Sequence, residues 1–116
     1  MREIKFRVWD TKSESMEYEI AIGKGYGEDS YILFLGLGET FIIDDDIVKI
    51  MQYTGLKDKN NVEIFEYMEI DNTYEVSFLN GSYVLTNISN GEIMLLSNYM
   101  ENHNGKVEIT REYTKV

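Results

Sequence analysis

In one segment after another, apolar side chains fall at every second position of this chain. No helical spacing of them persists beyond about ten residues. Ile4, Phe6 and Val8 alternate with Glu3, Lys5 and Arg7, and Met16, Tyr18, Ile20 and Ile22 alternate with Glu17, Glu19 and Ala21. A period of two gives an extended strand one apolar face. The polar stretch Asp10 to Ser15 between these runs predicts a hairpin loop, so the first two strands should pair antiparallel. Residues 23–30, with glycines at 23, 25 and 27, fit no regular element and are expected to be a flexible loop. Tyr31 to Leu35 and Thr40 to Ile43 are short apolar runs, expected as further strands. Ile47, Val48 and Ile50 are β-branched and favour a strand through Tyr53 over a helical turn capped by the preceding aspartates.

The last third predicts four strands: Thr73 to Leu79, Ser82 to Ile88, Glu92 to Ser97 and Lys106 to Thr114. They are joined at Asn80-Gly81, at Asn90-Gly91 and through a loop holding Asn104-Gly105. Asn-Gly supplies the positive φ angles of a tight primed turn, so the pattern reads as an antiparallel meander. Tyr74, Val76 and Phe78, with Val107 and Ile109, give it an apolar side. Lys57 to Asn61 reads as a charged turn and Glu63 to Ile70 as a short strand. An all-β chain must hide its sheet edges. The expected fold is a small, partly open barrel or sandwich with a C-terminal meander, a long insertion near residues 23–46 and at most short helical turns.

A chain of 116 residues is most simply one domain, residues 1–116. Its 43% hydrophobic content is too high for a disordered tail. The longest apolar run, Tyr31 to Leu35 with Leu37 just beyond, is far short of the roughly 20 residues that span a bilayer. The opening residues alternate charge with hydrophobe and so predict no secretory leader, which points to the cytoplasm. The absence of cysteine excludes disulfides, thiolate nucleophiles and cysteine-based zinc sites. A net charge of -10 argues against binding phosphate backbones, which needs clustered lysine and arginine. It fits a soluble protein, or one whose partner is basic.

No pattern of reactive residues stands out. The glycines at 23, 25 and 27 meet neither the Walker nor the dinucleotide spacing, and Glu28 and Asp29 would repel a phosphate. Asp44, Asp45 and Asp46, with Glu39, offer oxygen ligands, but successive residues of a strand point to opposite faces; a solvated acidic turn explains them better. His103, the one histidine, sits in a turn-like Asn102-His103-Asn104-Gly105 with no motif to supply a nucleophile. We therefore expect no catalysis, cofactor, metal or small-molecule substrate. Trp9 falls out of phase with Ile4, Phe6 and Val8, which places it on the outer face as an interface anchor or as edge packing.

Two stretches carry a resemblance. Met51, Gln52, Tyr53, Thr54, Gly55, Leu56, Lys57, Asp58, Lys59 and Asn60, continuing through Val62 to Glu66, together with the opening Met1 to Asp10, resemble the YopX family of phage and prophage proteins. The family has no established biochemical activity. The resemblance implies a mainly β fold, assembly into homo-oligomers and residence in the cytoplasm of a bacterial host. It also marks Gln52, Tyr53, Lys57, Asp58 and Lys59 as interaction candidates beside Trp9.

The sequence departs from the family in two places. Glu66, Tyr67, Met68, Glu69 and Ile70 stand where the family reads Glu-Gly-Asp-Ile-Val, so its tight turn is expected to be lost. The family's Asn-Ile-Tyr-Glu-Asn-Pro ending is absent from a chain without proline. Thr54-Gly55 and Lys57 to Asn60 are also good turn chemistry, so the marked segment has a purely structural explanation too.

The first functional reading is a non-catalytic phage accessory protein acting through contacts with itself and with a host or phage protein. The second is a small β-barrel that binds nucleic acid through Lys5, Arg7, Lys57 and Lys59.

Overall fold

The computed structural model describes residues 5–11, 14–18, 20–24, 31–35, 40–42 and 48–113. They form antiparallel strands and one short helix, so the expected mainly β class holds. The chain clusters into two compact units, Lys5–Met51 and Gln52–Tyr113. Among the described residues, no helix is long and apolar enough to cross a membrane.

In the first unit, β1 (Phe6–Asp10) pairs with β2 (Ser15–Glu17), with Trp9 opposite Met16. The hairpin read from the alternation is therefore present, but the second run is not one strand: Met16 pairs with β1, while Ile20 and Ile22 belong to a separate strand of another sheet. β3 (Ile20–Lys24), β4 (Tyr31–Leu35) and β5 (Thr40–Ile42) make a second, three-stranded antiparallel sheet. The long segment expected as an insertion thus contains a sheet of its own. β1 lies between β2 and β6 (Val48–Lys57), the strand that continues into the second unit.

Arg7, Val8 and Trp9 are all buried, so both faces of β1 are covered. This corrects two expectations. Trp9 is only 8% exposed and does not present an outer face, because the alternation rule assumes that one face of the strand meets water. Arg7 is fully buried, with Nη1 3.5 Å from the Tyr18 hydroxyl and Nη2 3.6 Å from Met51 Sδ, so it cannot join a surface patch for nucleic acid.

In the second unit, β6 pairs with β7 (Glu63–Phe65). β8 (Glu69–Ile70), β9 (Tyr74–Leu79), β10 (Ser82–Asn87) and β11 (Ile93–Leu95) then run as a meander. The β9–β10 turn is the expected primed type, with Asn80 at φ 51° and Gly81 at 84°. Only Gly91 of the Asn90-Gly91 pair takes a positive φ. There the Asn87 Oδ1 accepts from the Ser89 and Asn90 amides and closes a wider loop.

The predicted strand Glu92 to Ser97 ends early, and helix α1 (Leu96–Asn102) follows it directly. Leu96 and Tyr99 are its buried residues, three apart on one helical face. Asn104-Gly105 ends this helix and makes no hairpin. The Gly105 amide donates to Met100 O and the Asn104 amide to Glu101 O, with Asn104 left-handed at φ 53°, which is a Schellman termination. α1 redirects the chain. β12 (Ile109–Arg111) accordingly pairs with β8 on the opposite edge from β11, so the sheet order is β11-β10-β9-β8-β12.

Tyr53, Ile64, Phe65, Met68, Ile70, Val76, Leu85, Leu96 and Val107 are buried in this unit. Phe78, by contrast, is 50% exposed although it lies in phase with Val76.

Candidate interaction site

The segment from Gln52 to Glu66 is built around a local irregularity. From Tyr53 to Lys57 is four steps along β6, but their partners Phe65 and Glu63 are two steps apart on β7, so β6 bulges. Gly55 sits in the bulge at φ 86°, a conformation that glycine adopts without steric cost. Thr54 repairs the interrupted ladder: its buried hydroxyl donates to Ile64 O at 2.8 Å and accepts from the Leu56 amide at 3.2 Å. On the other side, the Gln52 amide donates to Glu66 Oε1 at 2.7 Å, and the Glu66 amide donates to Gln52 O at 3.1 Å. Tyr53 is 4% exposed, its ring 5.5 Å from that of Phe65, and its carbonyl accepts from the Tyr83 hydroxyl.

Asp58 closes the turn that follows. Its Oδ1 accepts from the Asn60 and Val62 amides, both at 2.9 Å, and its Oδ2 accepts from the Ile109 amide at 3.4 Å. The Asp58 amide donates to Val62 O, and the Lys59 amide donates to Val107 O. An aspartate that bonds its own backbone two residues on is the expected Asx turn. The same side chain here also ties the turn to the approach of β12. Asp58 is 7% exposed.

Of the six interaction candidates, then, Trp9, Tyr53 and Asp58 are buried and Gln52 is half-buried, leaving Lys57 and Lys59 exposed. Lys59 Nζ lies 3.4 Å from Glu108 Oε2, and Lys57 stands opposite Glu63 across the ladder. Exposed pairs of this kind contribute about 0–1 kcal/mol. They do partly neutralise the two lysines, which further weakens the nucleic-acid reading.

The family turn expected to be lost is retained. Phe65 O accepts from the Met68 amide at 3.4 Å, with Tyr67 at φ 68° in the position where the family has glycine. The Tyr67 amide donates to Val76 O, and its ring lies 5.7 Å from that of Tyr113.

His103 is exposed, as the turn-like reading expected, and forms the C-cap of α1. Its Nδ1 lies 2.8 Å from Tyr99 O, and its ring stacks on that of Tyr99 at 4.0 Å. A carbonyl only accepts, so Nδ1 is the donor in this contact. The Tyr99 hydroxyl donates to Asp71 Oδ2 at 2.7 Å, while Asp71 Oδ1 accepts from the Glu108 amide at 2.9 Å. Burial first, and then the Asp71 carboxylate, raise the Tyr99 phenol well above its ordinary value. The Tyr99–Asp71 bond tethers α1 to the turn between β8 and β9. Asp44 to Asp46, Glu39 and glycines 25 and 27 lie outside the described residues, as does the acidic turn expected there.

The bulge, the Asx turn and the antiparallel sheets define a small, mainly β protein whose most distinctive sequence segment is an internal clamp. The chain belongs to the YopX family: the family model described as YopX protein matches residues 5–110. Among solved structures, the chain is similar to the crystal structure of protein EF1440 from Enterococcus faecalis. The two are 22% identical, with a TM-score of 0.60 over 97% of this chain and 94% of that one. Identity that low supports the shared fold alone. Curated proteins give no match.

Proposed function

We propose that this YopX family member is a non-catalytic interaction protein of a phage or prophage. It works in the cytoplasm of the bacterial host through contacts with its own copies and with a host or phage protein. One observation carries the reading: Thr54 and Asp58, the buried polar side chains of the family's most recognisable segment, bond only to backbone of this chain, while Lys57 and Lys59 stay at the surface. Asp58, Thr54 and the Gln52 backbone are occupied with bonds that hold the bulge and the turn. A segment kept for its shape supports a scaffold that presents surface elsewhere. The net charge of -10 favours a basic partner over a nucleic acid.

Affinity capture from phage-infected host cells, combined with light scattering on the purified protein, tests the proposal. A stable protein partner or a defined oligomer is expected; a monomer that captures nothing would overturn it. Gel shifts near 50 mM salt, where electrostatic binding is strong, should show no retardation of single-stranded or duplex nucleic acid.

A further inference from the structure

The chain holds three Asn-Gly pairs, at 80–81, 90–91 and 104–105. A glycine after asparagine leaves its backbone nitrogen unshielded by any Cβ, so that nitrogen can approach the asparagine side-chain carbonyl. What already holds each pair decides whether it does. The Gly105 amide donates to Met100 O at 2.8 Å, inside the Schellman end of α1. The Gly91 amide donates to Asn87 O at 2.8 Å, and Asn90 Oδ1 accepts from the Glu92 amide at 2.9 Å. At the tip of β9–β10 the pair that closes the ladder is Leu79 and Ser82. Asn80 and Gly81 are both exposed there, and among the described residues no hydrogen bond takes up the Gly81 amide or the Asn80 side chain.

In the resting type I′ turn the two groups are kept apart. The first central residue of such a turn has ψ of roughly 30°, which sets the following nitrogen nearly opposite Cβ across the Cα–C bond. Turning over the Asn80–Gly81 peptide plane converts the loop to type II′, with ψ of roughly −120°. The Gly81 nitrogen is then eclipsed with Cβ and lies beside the Asn80 carboxamide carbon. Both turn types close a two-residue hairpin with the twist that its strands require. The flip therefore breaks no ladder bond, whereas the same movement at 90–91 or 104–105 breaks the hydrogen bond of the glycine amide itself.

We propose that Asn80 is a self-modification site, at which the folded protein converts asparagine to aspartyl and isoaspartyl residues without an enzyme. The Gly81 nitrogen attacks Asn80 Cγ and gives up its proton; the new N–Cγ bond closes a cyclic imide, and the side-chain nitrogen leaves as ammonia. Water then opens the ring. Breaking the N–Cγ bond yields aspartate, while breaking the bond from that nitrogen to the main-chain carbonyl carbon yields isoaspartate. No atom is oxidised or reduced in either branch. Each product adds one negative charge to a chain that carries -10. Isoaspartate also routes the backbone through the side chain and lengthens the loop by one atom, which a two-residue primed turn does not accommodate. The modification thus loosens the β9–β10 connection and leaves an exposed carboxylate of the class that isoaspartyl carboxyl methyltransferases take as substrate.

The test ages the whole protein at mildly alkaline pH and maps its peptides by mass spectrometry, with electron-based fragmentation to separate aspartyl from isoaspartyl products. In the folded protein, conversion at Asn80 is expected to run at least about fivefold faster than at Asn90 or Asn104. In concentrated urea, where the turns are gone, the three rates should converge to within about twofold. Asn80→Gly leaves a Gly-Gly pair suited to the primed turn, so the variant should fold like the parent. It should lose the early ammonia release and the early label that an isoaspartyl methyltransferase introduces from a labelled methyl donor. Asn90→Gln should lose neither. Folded-state conversion at Asn90 or Asn104 as fast as at Asn80 would overturn the proposal, and so would conversion at Asn80 confined to urea. Equal methyl labelling of aged parent and aged Asn80→Gly would overturn it as well.

Discussion

The carboxylate of Asp58 accepts a hydrogen bond from the amide of Ile109, 51 residues further along the chain. The same side chain holds the Asn60 and Val62 amides, so a local turn and a distant strand share one anchor. Asp58→Ala should cost about 2–3 kcal/mol, since it removes the acceptor of three amides at a buried position. Asp58→Asn keeps one carbonyl oxygen for the turn and should recover roughly half of that loss. Urea unfolding of the two variants checks the order. Equal midpoints for Asp58→Ala and the parent would show that water replaces the clamp.

Gly55 is held at φ 86° within the bulge. Gly55→Ala is expected to lower stability by about 1–2 kcal/mol, the cost of placing a Cβ in left-handed backbone. If the segment is structural, partner capture should survive in any variant that still folds. A midpoint equal to that of the parent would contradict the bulge geometry.

Tyr67 carries backbone strain that a glycine would relieve. Tyr67→Gly removes about 1–2 kcal/mol of that strain but loses a half-buried ring against Tyr113, so the net change should stay within about 1 kcal/mol. Tyr67→Val loses the ring and tightens the strain, because a β-branched residue at positive φ is worse placed than tyrosine. It should be the less stable variant by about 2 kcal/mol or more in chemical denaturation.

Tyr99 gives a pH dependence whose sign is fixed by the structure. Its phenol is raised in the folded protein, while in the unfolded chain it ionises near about 10. Stability from this group is therefore complete below that pH. It is lost as pH rises further, because the unfolded chain gives up the proton first. Tyr99→Phe should cost about 1 kcal/mol at neutral pH and flatten the decline above about pH 10. Spectrophotometric titration of the parent against Tyr99→Phe should show that the phenol lost in the variant is one that resists ionisation until the protein unfolds.

What the sequence reveals here follows the range of the forces that write it. β1, β2, β9 and β10 are legible because alternation and the Asn80-Gly81 turn are local signals that point the same way. α1 is hidden, since seven residues give only two turns of helical period, and the Leu96 and Tyr99 stripe merges with the apolar run of β11. Asn104-Gly105 misleads for a physical reason: left-handed backbone serves a Schellman end as well as a hairpin. Trp9 and Arg7 are misplaced because burial of both faces of a strand leaves no trace in its own alternation. At the site, turn chemistry around Asp58 is readable, but its bond to Ile109 is not, since nothing near position 58 refers to position 109.

The position of β12 has a consequence for how the protein refolds. β8 and the strands of the meander pair across short turns, whereas the Ile70–Ile109 pair closes only after the whole meander and α1 have been spanned. Until it closes, the outer flank of β8 is open to a strand of another chain. Refolding from denaturant should therefore lose yield as protein concentration rises, and a fragment ending at Asn102 should lose more.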